Sequence, residues 1–179
     1  ETVNDKEGCR KLGIDKVKDK LVTRGFLIDI PRLKGLPYLE PNVHVYREDI
    51  EAWEKKIGQK ILPGDAIFLR VGRWARRAAV GPFMGIAGFD ASVIPLLKER
   101  DIALIGHDGA QDVGSHAGMQ LPIHEFALAA LGANLMDNLD LDALAQTAAK
   151  LNRWTFMVTI APNAVPRGTG SPINPLAIF

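Results

Sequence analysis

Apolar residues along the chain fall into short blocks separated by tracts rich in Gly and Pro, and the blocks alternate between strand-like runs and helix-like spacings. The run Gly25-Phe-Leu-Ile-Asp-Ile30 is stopped by Pro31, which has no N–H to give a ladder, and it predicts a strand. Residues 31–46 carry Pro31, Gly35, Pro37 and Pro41 without a hydrophobic period and predict a loop. Over residues 47–56, followed by Ile57, the positions Ile50, Trp53 and Ile57 recur at helical spacing, and Gly58 stands where a left-handed residue would end the helix. Pro63-Gly64-Asp65 predicts a turn that feeds a second buried strand at residues 66–71. A Gly/Arg-rich loop then leads to a helix at 93–100, in which Pro95 fits the first turn if Ser92, rather than Asp90, is the cap. A third strand at 102–106, a helix at about 123–131 closed by Gly132 and a strand at 133–136 follow. Leu141, Leu144, Ala148 and Leu151 mark another helix, and residues 155–160 a final strand. Residues 1–20 are polar and predict a short helix and a surface connection. This alternation predicts one α/β domain over residues 1–179, with a mixed, partly parallel β-sheet and flanking helices.

Composition narrows the function classes. A chain of 179 residues, 47% hydrophobic and 24% charged, can bury a core of its own. A formal net charge of +1 gives no electrostatic reason to expect nucleic acid or an anionic membrane as partner, which leaves a small-molecule substrate. No apolar run approaches the roughly 20 residues that span a bilayer. Cys9, the single cysteine, cannot form an internal disulfide, and nothing near Glu1 reads as a secretion signal, so the cytoplasm is the expected compartment. Leu33, Leu36, Tyr38 and Leu39 are apolar for a solvent loop, which fits a homodimer or higher homo-oligomer as well as packing over the chain's own core. Glu1 has no initiator methionine before it, and upstream sequence is expected.

Candidate chemistry lies where strand ends meet. If the strand at 102–106, the helix at 123–131 and the strand at 133–136 form a βαβ unit, the carboxyl ends of both strands share one edge, where ligands of open α/β sheets collect. That edge carries Gly106-His107-Asp108 and Asp137-Asn138. About nine helical residues climb roughly 13 Å away from it, and four strand residues return about 13 Å. His124, at the helix start, is thereby placed level with Asp137. An imidazole and a carboxylate are donors that Zn²⁺ or Mn²⁺ accept. Two donors do not make a metal site, and spacing alone favours the plainer reading of a surface histidine and a turn-capping aspartate.

Four further residues are candidates for holding substrate, each with a structural alternative. Arg70 could orient a carbonyl or carboxylate, or anchor its own loop through a buried acid. Trp74 could wall a pocket or belong to the core. Asp108 and Gln111 lie in a small-residue loop, where they could meet a ligand or brace the backbone. Ser171 lacks a nucleophile elbow, and Gly168-Thr-Gly-Ser is not followed by the Lys-Ser/Thr of a phosphate loop. His44 stands in Asn42-Val-His-Val-Tyr46 without glycine or aspartate partners and reads as an ordinary loop histidine.

Several segments in order carry a resemblance. Pro63-Gly-Asp-Ala-Ile-Phe-Leu-Arg-Val-Gly-Arg-Trp74, Ile105-Gly-His-Asp-Gly109, Leu121-Pro-Ile-His124, Leu135-Met-Asp-Asn-Leu139 and Gly168-Thr-Gly-Ser-Pro-Ile-Asn-Pro175 resemble the C-terminal part of the cyclase family of metal-dependent hydrolases. That family includes kynurenine formamidases and isatin hydrolases. The resemblance implies a swivelling β/β/α fold, a divalent metal (Zn or Mn), and hydrolysis of a small cyclic or aryl amide, lactam or lactone. A ring-forming cyclase and a non-catalytic binding module are the alternatives. It maps metal ligands onto His124 and Asp137, the latter one methylene shorter than the family's Glu. The family's His-x-Gly-Thr-His-x-Asp-x-Pro type motif does not occur here. The resemblance places that motif, and with it the catalytic residues, upstream of Glu1, so the chain is expected to be a fragment inactive alone.

Overall fold

The computed structural model describes residues 3, 6–19, 21–82 and 85–179. Its first long element is β1 (Leu21–Asp29), in which Phe26, Leu27 and Ile28 are fully buried, as a strand covered on both faces requires. Pro31 does not open a loop as expected. It sits in the first turn of a short helix, α1 (Ile30–Lys34), where a missing N–H costs little, and Asp29 caps that turn by accepting from the Arg32 N–H. Strand β2 (His44–Val45) precedes α2 (Arg47–Ile57), whose Ile50 and Trp53 face the core. Trp53 Nε1 donates to Leu27 O over 2.8 Å, tying helix to strand, and Gly58 at φ +68° ends the helix as its position predicts.

Strand β3 (Ala66–Arg70) leads into α3 (Arg73–Val80), a helix where a loop was expected. Strand β4 (Gly88–Phe89) pairs in parallel with β2. A 3₁₀ turn at Ala91–Val93 then enters α4 (Ile94–Glu99). Asp90, not Ser92, is the capping residue: its carboxylate accepts from the Ser92 N–H, and Pro95 falls in the first turn of α4 behind it. Strand β5 (Leu104–His107) is followed by α5 (Pro122–Glu125), which widens into a π-helix at Phe126–Leu131 and ends on Gly132 at φ +67°. The last elements are β6 (Asn134–Met136), α6 (Asp142–Leu151), β7 (Thr155–Ile160) and β8 (Leu176–Ile178).

These elements form two compact units, residues 25–155 and residues 1–24 with 156–179. In the first, β1 pairs with β3, β3 with β5 and β5 with β6, all in parallel. The βαβ unit expected from the sequence is present, with Leu104 opposite Asn134 and Gly106 opposite Met136. Its tight approach depends on Gly106, because a Cβ there would lie 2.6 Å from Phe68 Cδ1 and 2.9 Å from Leu139 Cδ1. In the second unit β7 and β8 pair antiparallel. The segment expected to hold a short helix has a 3₁₀ turn at Ile14–Val17, and the Cys9 N–H donates to Arg167 O over 2.8 Å. The fold is thus mixed α/β, with a mainly parallel sheet and flanking helices. Among the described residues no helix is long and apolar enough to cross a membrane.

Candidate functional site

The carboxyl ends of β5 and β6 meet as parallel neighbours should. The Asn138 N–H donates to Gly109 O over 2.8 Å and the Leu139 N–H to His107 O over 3.0 Å, which locks the segments after the two strands together. The loop after β5 then runs beside β4, where the Phe89 N–H donates to Gln111 O and Asp112 bridges to Phe89. Asp112 is nearly buried and caps α5 by accepting from the Ile123 and His124 N–H groups. His124 therefore starts its helix on a fixed anchor. Its Nε2 lies 3.1 Å from Asp137 Oδ2, and its Nδ1 is hydrogen-bonded to Asp112 Oδ2. Residues thirteen apart in sequence meet on the edge where the length argument puts them.

The imidazole lies between two carboxylates. Burial alone would lower the His124 pKa, but the hydrogen bonds and charges of Asp112 and Asp137 outweigh it and raise it above the ordinary histidine value. In the neutral ring with its proton on Nδ1, a lone pair on Nε2 faces a carboxylate oxygen. Two acceptors 3.1 Å apart need a hydrogen-bonding proton, carried by the ring or the carboxyl, or a cation between them. Two metal–ligand bonds of roughly 2.0–2.2 Å at a tetrahedral angle put the donor atoms about 3.3 Å apart. The observed separation of 3.1 Å is that of a hydrogen bond and lies close to the spacing a shared divalent ion would need. A carboxylate on the far ring nitrogen is the usual support of a metal-bound histidine. His124 and Asp137 thus suit half of a metal site; among the described residues no group of three or more His, Cys, Asp and Glu could hold a metal ion.

The other candidates have protein partners. Arg70 Nε lies 2.9 Å from Asp142 Oδ1, and its Nη1 lies 3.0 Å from Asp29 Oδ1. Asp108 accepts from the N–H groups of Val71, Gly72 and Arg73, which holds the entrance to α3. Burial pushes its pKa up to about 6 against the pull of those three donors. Trp74 Nε1 donates to Leu139 O over 2.8 Å, and its ring lies under the guanidinium groups of Arg73 and Arg77. Gln111 is fully buried, its Nε2 donating to Met136 O and to Asp137 Oδ1. These contacts are the bracing roles open to Arg70, Asp108 and Gln111. A cleft of about 490 Å³, part of it open to solvent and lined by Arg73, Arg76, Arg77, Leu39, Val71 and Ile86, adjoins them. Arg73 connects it to the sheet edge through a hydrogen bond to Asn138 Oδ1, next to Asp137.

Two residues of the site escape a reading by motif. Asp112 carries a signal only in retrospect, as a carboxylate between one strand end and the candidate ligand it would have to support. His107 is fully buried against Phe89, with its Nδ1 accepting from the Gly109 N–H. Burial pushes its pKa down to about 3, so it is neutral in the folded protein and charged in the unfolded chain below the ordinary histidine value of about 6.5. Below that value the unfolded state binds more protons than the folded one, and stability falls as the pH is lowered. The expected result is a stability contribution intact above pH 6.5 and lost progressively toward pH 3. Urea unfolding between pH 7 and pH 4 should show His107→Phe losing less stability than the wild type over that window.

The comparisons agree with this architecture. The Cyclase family model matches residues 4–111. A solved structure described as a novel cyclase superposes with a TM-score of 0.82 at 32% identity, covering 94% of this chain and 57% of its own. The isatin hydrolase A of Labrenzia aggregata, bound to benzyl benzoate, gives 0.71 at 23% identity, covering 91% and 63%. An isatin hydrolase bound to the product analogue thioisatinate gives 0.68 at 23%, covering 93% and 65%. No curated protein matches the chain significantly. The chain spans about three fifths of the length of these solved relatives. With more than half of its residues under the family model, and with a solved relative 32% identical over 94% of its length, the chain belongs to the cyclase family.

Proposed function

We propose that this chain carries two ligands, His124 and Asp137, of the divalent metal site of a hydrolase acting on a small cyclic or aryl amide, lactam or lactone. The carrying observation is the 3.1 Å approach of His124 Nε2 to Asp137 Oδ2 at the carboxyl edge of a parallel sheet. Solved relatives described as isatin hydrolases and as a potential metal-dependent hydrolase with cyclase activity support the reaction class. Zinc or manganese bound there supplies Lewis acidity toward a carbonyl oxygen. Asp112 holds the Nδ1 proton of His124, which keeps Nε2 as the donor. Arg73 lines the adjoining cleft and is hydrogen-bonded to Asn138, the neighbour of Asp137, which brings the cleft beside the proposed ligands.

Catalytic zinc sites use three protein ligands, and the family's His-rich motif that supplies the others and a proton-shuttling histidine does not occur among these 179 residues. The expected result has two parts. By calorimetry, the 179-residue chain binds Zn²⁺ more weakly than micromolar and hydrolyses nothing. A protein in which the motif precedes this chain holds one or two metal ions by elemental analysis and opens isatin-like lactams or N-formylkynurenine. Ring closure of a polyketide-like substrate in place of hydrolysis would favour the cyclase reading, and metal-free protein from the longer chain would overturn the proposal.

A further inference from the structure

Asp112 and Gln111 are consecutive, and each touches a different one of the two proposed ligands. Asp112 Oδ2 is hydrogen-bonded to His124 Nδ1, while Gln111 Nε2 lies 3.0 Å from Asp137 Oδ1. We propose that Gln111 and Asp112 act together as positioning residues that tie back the far atom of each donor group and leave Nε2 of His124 and Oδ2 of Asp137 as the ligating atom of each. The inference rests on the metal reading above and goes beyond it by assigning how the donor atoms are selected.

Three features make the pair more than two incidental contacts. Gln111 lies at a bend and Asp112 in an isolated bridge, and from these consecutive positions each side chain reaches a different ligand. That stretch is pinned: the Phe89 N–H donates to Gln111 O over 3.1 Å, Phe89 bridges to Asp112, and Gly88 admits the approach because a Cβ there would lie 2.6 Å from Gln111 O. The orientation of the Gln111 amide is also forced. Its Nε2 faces two acceptors, Met136 O and Asp137 Oδ1, and a flipped amide would set oxygen against oxygen at both. The opposite atom, Oε1, is buried without a hydrogen-bond partner. A fully buried amide that leaves its oxygen unsatisfied in order to hold a carboxylate has a cost that packing alone does not explain.

With Asp137 Oδ1 engaged by Gln111, the carboxylate is left to bind through one oxygen. With His124 Nδ1 engaged by Asp112, the ring is left to bind through Nε2. Loss of an outer partner of this kind typically lowers metal affinity by 10–100-fold.

The test uses Zn²⁺ alone, titrated into the 179-residue chain while the His124 ring nitrogens are followed by long-range ¹H–¹⁵N correlation at a pH where the ring is neutral. Gln111→Met keeps the length of the side chain and removes the amide; Asp112→Asn keeps acceptor oxygen for the helix cap and weakens the hold on Nδ1. The expected result is an Nδ1–H tautomer in the wild type with Zn²⁺ perturbing Nε2, a mixed tautomer in Asp112→Asn, and Zn²⁺ affinity lowered at least tenfold in each variant. Should Gln111→Met fail to fold, Gln111→Glu reads the same contact by setting a second carboxylate against Asp137. Wild-type affinity and tautomer in the variants, while His124→Ala still abolishes Zn²⁺ binding, would overturn the positioning role and leave the metal site standing. Zn²⁺ binding unchanged in His124→Ala would remove the metal site itself and the inference with it.

Discussion

Arg70→Met is expected to lower the unfolding free energy by about 3 kcal/mol, the lower end of the range for breaking a buried ion pair. The side chain of Arg70 is 13% exposed and that of Asp29 is 1% exposed, so the carboxylate left behind cannot recover its hydration. Arg32, whose backbone N–H and Nε also reach Asp29, keeps the loss from being larger. Arg70→Lys should recover only part of it, because a single ammonium cannot reproduce the guanidinium fork that spans Asp29 and Asp142. Chemical denaturation of the three proteins measures this directly. A contact with substrate alone predicts unchanged stability and a raised KM in an active form, whereas the bridge predicts the stability loss with or without substrate.

His124→Ala and Asp137→Ala should each reduce the metal content or turnover of a complete enzyme by at least tenfold, the scale on which loss of a ligand or its close support is felt. Folding should survive both changes, since the two side chains are partly exposed, at 22% and 29%. Asp137→Glu discriminates between roles. A longer carboxylate can still reach a shared ion and should be milder than alanine, whereas both substitutions should be nearly silent if Asp137 only balances the charge of a protonated His124. Elemental analysis of the purified variants, paired with thermal unfolding to confirm the fold, separates these outcomes.

The parts of this fold that could be read from the sequence are those where burial writes a period or a run. The fully buried stretch from Phe26 to Ile28 and the apolar run of β3 announce strands, and Gly58 and Gly132 mark helix ends because they take left-handed backbone there. The meeting of His124 with Asp137 followed from element lengths alone. Helix α3 was not legible, because Arg73–Val80 is a short, arginine-rich run that buries no residue and has a glycine at each end, which reads as a loop. What anchors it is distant in sequence: Asp108 gathers the N–H groups of Val71, Gly72 and Arg73 at its entrance. Helix α1 was concealed because Pro31 ends a strand and begins a helix equally well, and the deciding group is the Asp29 carboxylate. Strand β8, Leu176–Ile178, is apolar but only three residues long and exposed along its length, too short for a run or an alternation to mark it. Asp112 was missed for a related reason: its role is defined by contacts with Ile123 and His124, eleven and twelve residues away, and no local pattern records them.

A metal ion shared by His124 and Asp137 should be visible by anomalous diffraction at the zinc or manganese absorption edge from metal-soaked crystals. The expected peak lies roughly 2 Å from both His124 Nε2 and the Asp137 carboxylate, with Asp112 still hydrogen-bonded to Nδ1. A metal peak elsewhere with none between these side chains, or an imidazole and carboxylate more than about 8 Å apart, would contradict it, since each ligand atom must lie close to 2 Å from the ion.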